Sequence, residues 1–115
     1  MIETTILKYL SDNLADIPVM MEYPEDKQVP CIFLEKTGSG EQNRVLSATI
    51  AIQSLDKSLQ RAAELNDKVK NVMCSMADDL AGIGRVRVNS DYNFTDPSAK
   101  AYRYQAVYEI TYVEY

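Results

Sequence analysis

The sequence predicts an α+β fold, a two-layer sandwich in which two helices cover one face of a mainly antiparallel sheet of four to five strands. Two segments carry apolar residues at helical spacing, and several others alternate apolar with polar residues as half-buried strands do. The links between the strand segments are short, which favours antiparallel pairing. With 115 residues, 46% of them hydrophobic, the chain can bury one core, so we expect a single domain over residues 1–115.

The first predicted elements are a helix over residues 2–14 and two strands. Val19–Tyr23 is a short strand candidate that ends at the turn-forming segment Pro24–Asp26. Cys31–Lys36 is apolar enough for a buried strand, and Pro30, which lacks an N–H, is expected at its first residue or on an edge. The helical spacing rests on Ile2, Ile6, Tyr9 or Leu10, and Leu14.

A polar segment with two glycines then separates two strands. Thr37–Asn43 reads T-G-S-G-E-Q-N and is predicted to be a flexible loop. Arg44–Ser54 alternates cleanly and is predicted to be a half-buried strand. Its inward face carries Leu46, Ala48, Ile50 and Ile52.

The longest predicted element is a helix from about Asp56 to Leu80, with Gly82 as its C-terminal cap. Apolar residues at every third or fourth position form one stripe along it, as in a heptad repeat. A coiled coil is one interpretation of that stripe. Because the seam is short, weak at Ala62 and interrupted by Asn66, we favour a helix that lies across the sheet.

Two more strands complete the predicted order of helix, three strands, helix and two strands. Ile83–Ser90 is predicted to be a strand with Arg85 and Arg87 outward, followed by a second polar loop, Asp91–Ala99. Lys100–Tyr115 alternates again and forms the last predicted strand. One face of that strand carries Tyr102, Tyr104, Ala106, Tyr108, Ile110 and Tyr112, and the other carries Arg103, Gln105, Val107, Glu109 and Thr111.

Composition excludes several kinds of function. The net charge is −5 and no basic run exceeds a dipeptide, so phosphate-driven nucleic-acid binding is not expected. The chain has no histidine, the commonest general base and metal ligand. It shows neither an apolar run of about 20 residues nor the features of a signal peptide. We expect a soluble intracellular protein that is not an enzyme and uses no cofactor.

The two cysteines, Cys31 and Cys74, stand among apolar neighbours and form no C-x-x-C motif. We interpret both as small buried residues of a protein from a reducing compartment. A disulfide between them, or one reactive thiol, is the alternative.

Two short motifs suggest a ligand site only in part. Gly38–Gly40 is half of a dinucleotide fingerprint, but Asn43 replaces the third glycine and no helix follows. Asp91–Asp96 begins like a calcium loop, but Asp96 and Tyr102 replace the glycine and the glutamate that such a loop needs. We interpret this segment as a set of local turns capped by its own side chains.

A third candidate is the acidic pair Asp78 and Asp79, which are helix neighbours and therefore point about 100° apart. We interpret them as part of a solvated helix end. No catalytic, cofactor-binding or metal-ligating residue is predicted anywhere in the sequence.

The tyrosines are the most unusual feature of the sequence, since five of the eight lie in the last fourteen residues. They either pack beneath the helices or form a protein interface, where tyrosine is enriched. The opposite face of the last strand carries Val107, Val113 and Tyr115, so we expect it to be covered too, most simply by another copy of the chain. Tyr108 is predicted to be in the core. Arg103 is predicted to be interfacial, so its substitution should change assembly more than stability.

Several segments resemble small proteins from the morphogenesis gene clusters of tailed phages and prophages. Asn89–Asp96 followed by Tyr102–Tyr108 looks like their C-terminal signature. Thr49–Gln53 and Ala62–Asn66 are similar to the middle of these proteins, and the short first helix that leads to a Pro-Glu-Asp turn is similar to their start. The likeness covers nearly the whole chain. The chain thus resembles tail-completion or head–tail joining proteins, which are related in architecture to the lambda-type tail terminator.

This resemblance implies a non-enzymatic structural protein of the virion, assembled in the host cytoplasm into an oligomeric ring that is usually a hexamer. The implied partners are other copies of the chain and the tail-tube protein, the head–tail connector protein or both, with no small molecule, membrane or specific nucleic-acid sequence. Loops make the contacts in such proteins. The candidate contacts are therefore Gly38, Ser39, Gly40, Glu41, Arg44, Tyr92, Phe94, Asp96, Arg103 and Tyr115.

Two other functions stay open. A small ligand-binding or regulatory α+β module would need a pocket with converging polar groups, and the sequence shows no such constellation. An enzyme whose metal is held by carboxylates alone would need acidic residues from separate elements to converge.

Overall fold

The protein has the predicted α+β fold, and its described residues form two helices and one five-stranded sheet. The structure, a computed structural model, describes residues 1–23, 28–98 and 101–114. The predicted turn at Pro24–Asp26 and the candidate contact Tyr115 lie outside these ranges. The helices are α1 (Ile2–Asn13) and α2 (Leu59–Asp79), and the strands are β1 (Val19–Met20), β2 (Cys31–Gln42), β3 (Val45–Leu55), β4 (Ile83–Asn93) and β5 (Arg103–Tyr112).

The strands follow the order β1-β2-β3-β5-β4 across the sheet, so β5 lies between two strands that precede it in the chain. Every neighbouring pair is antiparallel except β1 and β2, which run parallel. Only two residues of β1 take part, Val19 opposite Ile32 and Met20 opposite Phe33. The sheet is therefore mainly antiparallel, as predicted, with a very short parallel strand at one edge.

The prediction of a loop over Thr37–Asn43 is wrong, because β2 continues through the two glycines to Gln42. This segment pairs in register with the first half of β3, from Gly38 opposite Thr49 to Gln42 opposite Val45. The turn consists of Asn43 and Arg44 alone, whose φ angles of 54° and 67° are both positive, as a type I′ hairpin turn requires. Continuous backbone pairing outweighs the low strand propensity of glycine here.

The second predicted loop, Asp91–Ala99, is also too long. β4 continues to Asn93, and Asp91 and Asn93 lie opposite Ala106 and Tyr104 of β5. The irregular connection therefore begins at Phe94, and β5 begins at Arg103 rather than at Lys100. Lys100 itself lies outside the described ranges. Pairing with a long, strongly alternating strand extends the ordered backbone into a polar sequence.

The long helix has the predicted stripe but not the predicted cap. Ser58 begins the helix, and its hydroxyl accepts a hydrogen bond from the Arg61 N–H at 3.2 Å. At the other end, Leu80 caps the helix in an extended conformation and donates to the Met76 carbonyl, so Gly82 is not the cap. The side buried against the sheet carries Ala62, Leu65, Asn66, Val69, Met73 and Met76, as expected for a helix lying across a sheet.

The main core lies between the two helices and one face of the sheet. The inward face predicted for β3 is confirmed. On β5, Ala106, Tyr108, Ile110 and Tyr112 are in the core, whereas Tyr104 is half-buried and Tyr102 precedes the strand. Tyr108 is fully buried, and its hydroxyl has no hydrogen-bond partner among the described residues; burial raises the pKa of Tyr108 well above its usual range. Each fully buried large apolar side chain contributes roughly 1.5–3 kcal/mol to folding. The sheet residues of this core are Ile32, Leu34, Ala48, Ile50, Ile52, Ile83, Ala106, Tyr108, Ile110 and Tyr112.

The two cysteines lie in different environments, and both are free thiols. Cys31 is buried with Phe33 and Leu55 in a small cluster on the second face of the sheet, and burial raises the pKa of its thiol. Cys74 is exposed on α2, so the prediction that both cysteines are buried is wrong for Cys74. Its neighbours Met73 and Met76 face the core, but a position one residue along a helix turns away from that side.

Candidate assembly surface

The predicted contact residues separate into two groups at opposite ends of the sheet. Gly38–Glu41 and Arg44 form the hairpin group, beside the turn that joins β2 to β3. Tyr92, Phe94, Asp96 and Arg103 lie at the other end, where β4 meets the start of β5. The distance between the two groups follows from β3, which runs from one to the other: Leu46 lies opposite Tyr112 near the hairpin, and Leu55 lies opposite Arg103. Nine residues of strand span roughly 30 Å.

The hairpin group is held by backbone pairing, and its side chains are available. Ser39, Gly40, Glu41 and Arg44 are exposed, and Gly38 is half-buried. Among the described residues, no side-chain hydrogen bond or ion pair engages Ser39, Glu41 or Arg44. A shallow groove of about 510 Å³ runs beside the turn, lined by both strands of the hairpin and by Thr111 of β5. This end of the sheet presents uncommitted polar groups on a rigid frame.

At the opposite end, Arg103 is the centre of an intramolecular cluster. Its guanidinium carbon lies 5.3 Å from the ring centre of Tyr23 and 4.8 Å from that of Phe94, which are cation–π distances. Its Nε donates to the Phe94 carbonyl at 2.7 Å. Its Nη1 donates to the Tyr23 hydroxyl at 2.8 Å and to Gln53 Oε1 at 3.3 Å.

The cluster continues across β3, β5 and β4 through two glutamines. Gln53 Nε2 donates to Gln105 Oε1 at 3.2 Å, and Gln105 Nε2 in turn donates to the Tyr92 hydroxyl. Both glutamines are buried, with 6% and 9% of their surface exposed, although no helix covers this face. We call the set Tyr23, Gln53, Tyr92, Phe94, Arg103 and Gln105 the arginine cluster.

The arginine cluster changes the role predicted for Arg103. Three hydrogen bonds and two aromatic rings engage the guanidinium within the chain. The guanidinium therefore contributes to the fold at this end of the sheet, so we expect its substitution to lower stability as well; a role of Arg103 in assembly stays a prediction. Tyr92 and Phe94, each 40% exposed and packed edge-to-face at 5.8 Å, form the accessible rim of the cluster.

The remaining candidate at this end, Asp96, belongs to a tight turn. Its backbone N–H and carbonyl both pair with Ala101 at 3.3 Å. Its Oδ1 accepts from the backbone N–H of Ser98 at 3.1 Å and from the Ser98 hydroxyl at 2.7 Å. Asn93 makes a similar local contact, accepting from the Thr95 N–H at 2.9 Å. These contacts match the local turns predicted for this segment.

The other acidic side chains singled out by the sequence join elements of the fold. Asp91 accepts from Asn66 Nδ2 at 2.6 Å and pairs with Lys70, so it connects α2 to β4 and raises the pKa of Lys70. Asp79 accepts from the Tyr9 hydroxyl at 2.6 Å and connects the two helices. Over the ranges that the structure describes, no three Cys, Asp or Glu side chains form a group able to hold a metal ion.

The rest of the second face, between the arginine cluster and the hairpin group, is open. Val107 and Thr111 of β5 are half-buried there, and Val113, just beyond the strand, is 37% exposed. The Thr49 hydroxyl lies 3.0 and 3.2 Å from the two carboxylate oxygens of Glu109. Among the described residues, side chains therefore cover the arginine-cluster end of the second face but not the part around Val107, Thr111 and Val113.

Sequence reasoning missed three members of the arginine cluster, Tyr23, Gln53 and Gln105. The alternation placed Gln53, Arg103 and Gln105 on outward faces, but only the register of β3 against β5 makes them neighbours. Tyr23 lies 80 residues from its partner Arg103 in the sequence, and no local sequence pattern predicts that contact.

No protein-family model matches the chain, and no curated protein sequence is detectably similar to it. Neither helix in the described part of the chain combines the length and the apolar character needed to cross a membrane. A function for this chain is therefore inferred from its fold, its surface and the resemblance of its sequence segments.

Proposed function

We propose that this protein is a non-enzymatic structural subunit of a tailed-phage or prophage particle, forming an oligomeric ring at the tail end or the head–tail junction. The resemblance of the segments around Thr49–Gln53, Asn89–Asp96 and Tyr102–Tyr108 supports the tailed-phage assignment. The observation that carries the assembly role is the second face of the sheet, which the two helices of the described residues leave uncovered around Val107, Thr111 and Val113. A folded domain that leaves such a surface to solvent is suited to being covered by a neighbour.

The hairpin group supports the contact role best. Its backbone is fixed by the ladder of β2 with β3, so its position costs little further ordering on binding. Its exposed side chains, Ser39, Glu41 and Arg44, are uncommitted within the described chain. In this proposal the hairpin group touches the tail-tube or connector protein, and the rim formed by Tyr92 and Phe94 supplies a second, aromatic contact.

The test is to mix the purified chain with the tail-tube protein encoded in the same gene cluster and to image the tubes by electron microscopy. The expected result is a ring of density at one tube end and arrested tube growth. A Glu41→Lys/Arg44→Glu variant should lose this end binding, whereas the matched variant Lys8→Glu/Asp12→Lys, which exchanges an exposed ion pair on α1, should retain it. Tubes that elongate unchanged and bare in the presence of the wild-type chain, with connector protein also unbound, would contradict the proposal.

A second candidate function, a small ligand-binding module, is favoured by one groove. It measures about 460 Å³ and lies where α1 begins and β5 ends, with Ile2, Leu80, Ile83, Tyr112 and Val113 among its lining residues. Its mainly apolar lining suits an apolar molecule rather than a charged metabolite. A thermal-shift screen of small apolar compounds separates the two proposals, because specific binding to the folded state raises the melting temperature with ligand concentration.

A further inference from the structure

The sheet has two free edges of similar length. β4 forms one edge along all eleven of its residues. β1 covers the other edge only beside Ile32 and Phe33, so within the described residues the outer side of β2 has no strand partner beyond Phe33. A free edge presents unpaired N–H and C=O groups to another strand. Both edges are therefore able to extend the sheet.

The directions of the two edges allow identical copies to pair. β2 is antiparallel to β3, β3 to β5, and β5 to β4, so β2 and β4 run in opposite directions. If a second copy is placed beside the first with its helices on the same side, its β2 runs antiparallel to β4 of the first copy. The contact joins two different edges, so each copy can bind one neighbour on each side.

The regular parts of the two edges also lie at the same level of the sheet. β4 has register shifts between Ile83 and Arg85 and between Val88 and Ser90, which leaves Arg85–Val88 regular. β2 is regular from Gly38 to Gln42, beyond its own shift after Lys36. Two rows of partners cross the sheet and connect these stretches: Arg85, Thr111, Ser47 and Gly40 in one, and Arg87, Glu109, Thr49 and Gly38 in the other.

Charge distinguishes the two edges. Arg85 and Arg87 on β4 and Glu35 on β2 are exposed, and the register of the sheet places all three side chains on the second face. Among the described residues none of these three side chains forms an ion pair. Gly40 and Gly38 lie at the levels of Arg85 and Arg87 and carry no side chain on that face, so an arginine side chain of a neighbouring copy can lie across β2 toward Glu35. A positive edge thus faces a negative edge, which favours pairing between copies over pairing of like edges.

We propose that β4 of one copy pairs antiparallel with β2 of the next, over Arg85–Arg87 and Gly38–Gly40, and that this pairing joins the subunits of the ring. This inference rests on the proposed function for the ring, whereas the pairing of two copies does not depend on it. The arginines of one copy lie beside Glu35 of the next. Because the pairing is head-to-tail, it closes into a ring if the rotation between copies permits.

A charge exchange tests this pairing by sedimentation velocity of the whole chain over a range of concentrations. Arg85→Glu/Arg87→Glu and Glu35→Lys should each weaken self-association by about tenfold or more, because like charges then face each other. An equimolar mixture of the two variants should restore it, since each junction in an alternating assembly again joins opposite charges. A two-fold pairing of β4 with β4 would instead be insensitive to Glu35→Lys and would be strengthened when the arginine variant is mixed with the wild-type chain.

The matched control is Arg61→Glu/Lys68→Glu, which makes the same change of net charge on the exposed side of α2. It should leave self-association unchanged. Circular dichroism melting of every variant separates loss of pairing from loss of folding.

A direct measurement uses disulfide trapping in a Cys74→Ser background, which removes the exposed native thiol. Chains carrying Arg87→Cys mixed with chains carrying Gly38→Cys should form a mixed disulfide under mild oxidation, and Lys68→Cys in place of Arg87→Cys should not. A wild-type chain that stays monomeric at every concentration and gives no mixed disulfide overturns the edge pairing. Binding to the tail-tube protein is measured separately, so a failure of edge pairing does not contradict the proposed function. Conversely, bare tubes together with intact edge pairing would contradict the proposed function and leave the edge pairing standing.

Discussion

The two ends of the sheet have similar sequence signals but different structures. Both candidate contact groups come from polar segments between alternating strands, one with glycines and the other with aromatic residues and Arg103. In the hairpin group the backbone ladder supplies the order, and the side chains are free of partners in the described chain. In the arginine cluster the side chains themselves supply the order, through hydrogen bonds and ring contacts across three strands.

This difference shows that a polar segment is not a contact surface by composition alone. Arg44 and Arg103 are both arginines outside the main core, yet only Arg103 has its charge and its donors engaged by the same chain. A residue that is engaged in this way contributes to stability, and a residue that is not engaged is available to a partner. The following predictions test that distinction and begin with the largest expected effect.

Tyr108 should show the largest loss of stability on the helix-covered face. Tyr108→Ala should lower the free energy of unfolding by about 3–5 kcal/mol, because it removes a fully buried aromatic ring. Val107→Ala, one residue away on the open face, should cost about 1 kcal/mol or less. Urea denaturation of both variants measures the difference, and equal losses would mean that the open face is as tightly packed as the core.

Tyr108→Phe refines this test. The buried hydroxyl has no hydrogen-bond partner in the part of the chain that the structure describes, so its removal should be neutral or stabilising by up to about 1 kcal/mol. A clear destabilisation would show that the hydroxyl is satisfied in solution.

Arg103→Glu should lower the free energy of unfolding by about 2–3 kcal/mol, because it replaces three donated hydrogen bonds with a carboxylate beside the Gln53 amide oxygen. Arg44→Glu at the hairpin turn should change it by about 0.5 kcal/mol or less. Denaturant unfolding of the two variants side by side is the measurement. If the two arginines gave the same result, the distinction between the two ends of the sheet would fail.

Alkaline pH should act on the contact between the two helices. Burial and the hydrogen bond to Asp79 raise the pKa of Tyr9 from 10.0 to about 12. The folded state holds this proton more tightly than the unfolded state, so the contribution to stability is complete below pH 10 and is lost as the pH rises from 10 to about 12. Tyr9→Phe should therefore lose less stability than the wild type over that interval, which denaturation at stepped pH would show. A wild-type stability that stays level up to pH 12 would contradict the assignment.

Arg44→Gly should have a small effect of the opposite sign. Arg44 has a φ of 67°, which costs an L-residue energy that glycine does not incur. The variant should be more stable by about 0.5–1 kcal/mol, even though it removes a candidate contact. A rise in the melting temperature together with weaker binding to the tube would separate stability from assembly at one position.

The fold class, both helices and the inward faces of β3 and β5 could be predicted from the sequence, because periodicity reports directly on burial. The strand ends could not. The glycines at 38 and 40 indicate a loop locally, but pairing with Val45–Thr49 keeps them in β2. Asp91–Asn93 likewise stays in β4 because β5 lies opposite.

The candidate site was only partly predictable, for a related reason. Polar segments at Gly38–Glu41 and Tyr92–Asp96 were visible in the sequence, but whether their side chains are engaged depends on register and on distant residues. Gln53 and Gln105 become neighbours only through the pairing of β3 with β5. The short parallel pairing of β1 with β2 was also beyond local signals, because two residues carry no periodicity.

The position of β5 between β3 and β4 has a consequence for synthesis on the ribosome. The β2–β3 hairpin can close as soon as it emerges, because only two residues separate its strands. β4 emerges before β5, however, and at that moment it has no neighbour in the sheet while one side of β3 is bare. The place between β3 and β4 stays empty until β5 is synthesised and pairs with both strands. Crowded polysomes, where neighbouring chains expose the same gap, are therefore the setting in which mispairing competes most strongly with native folding.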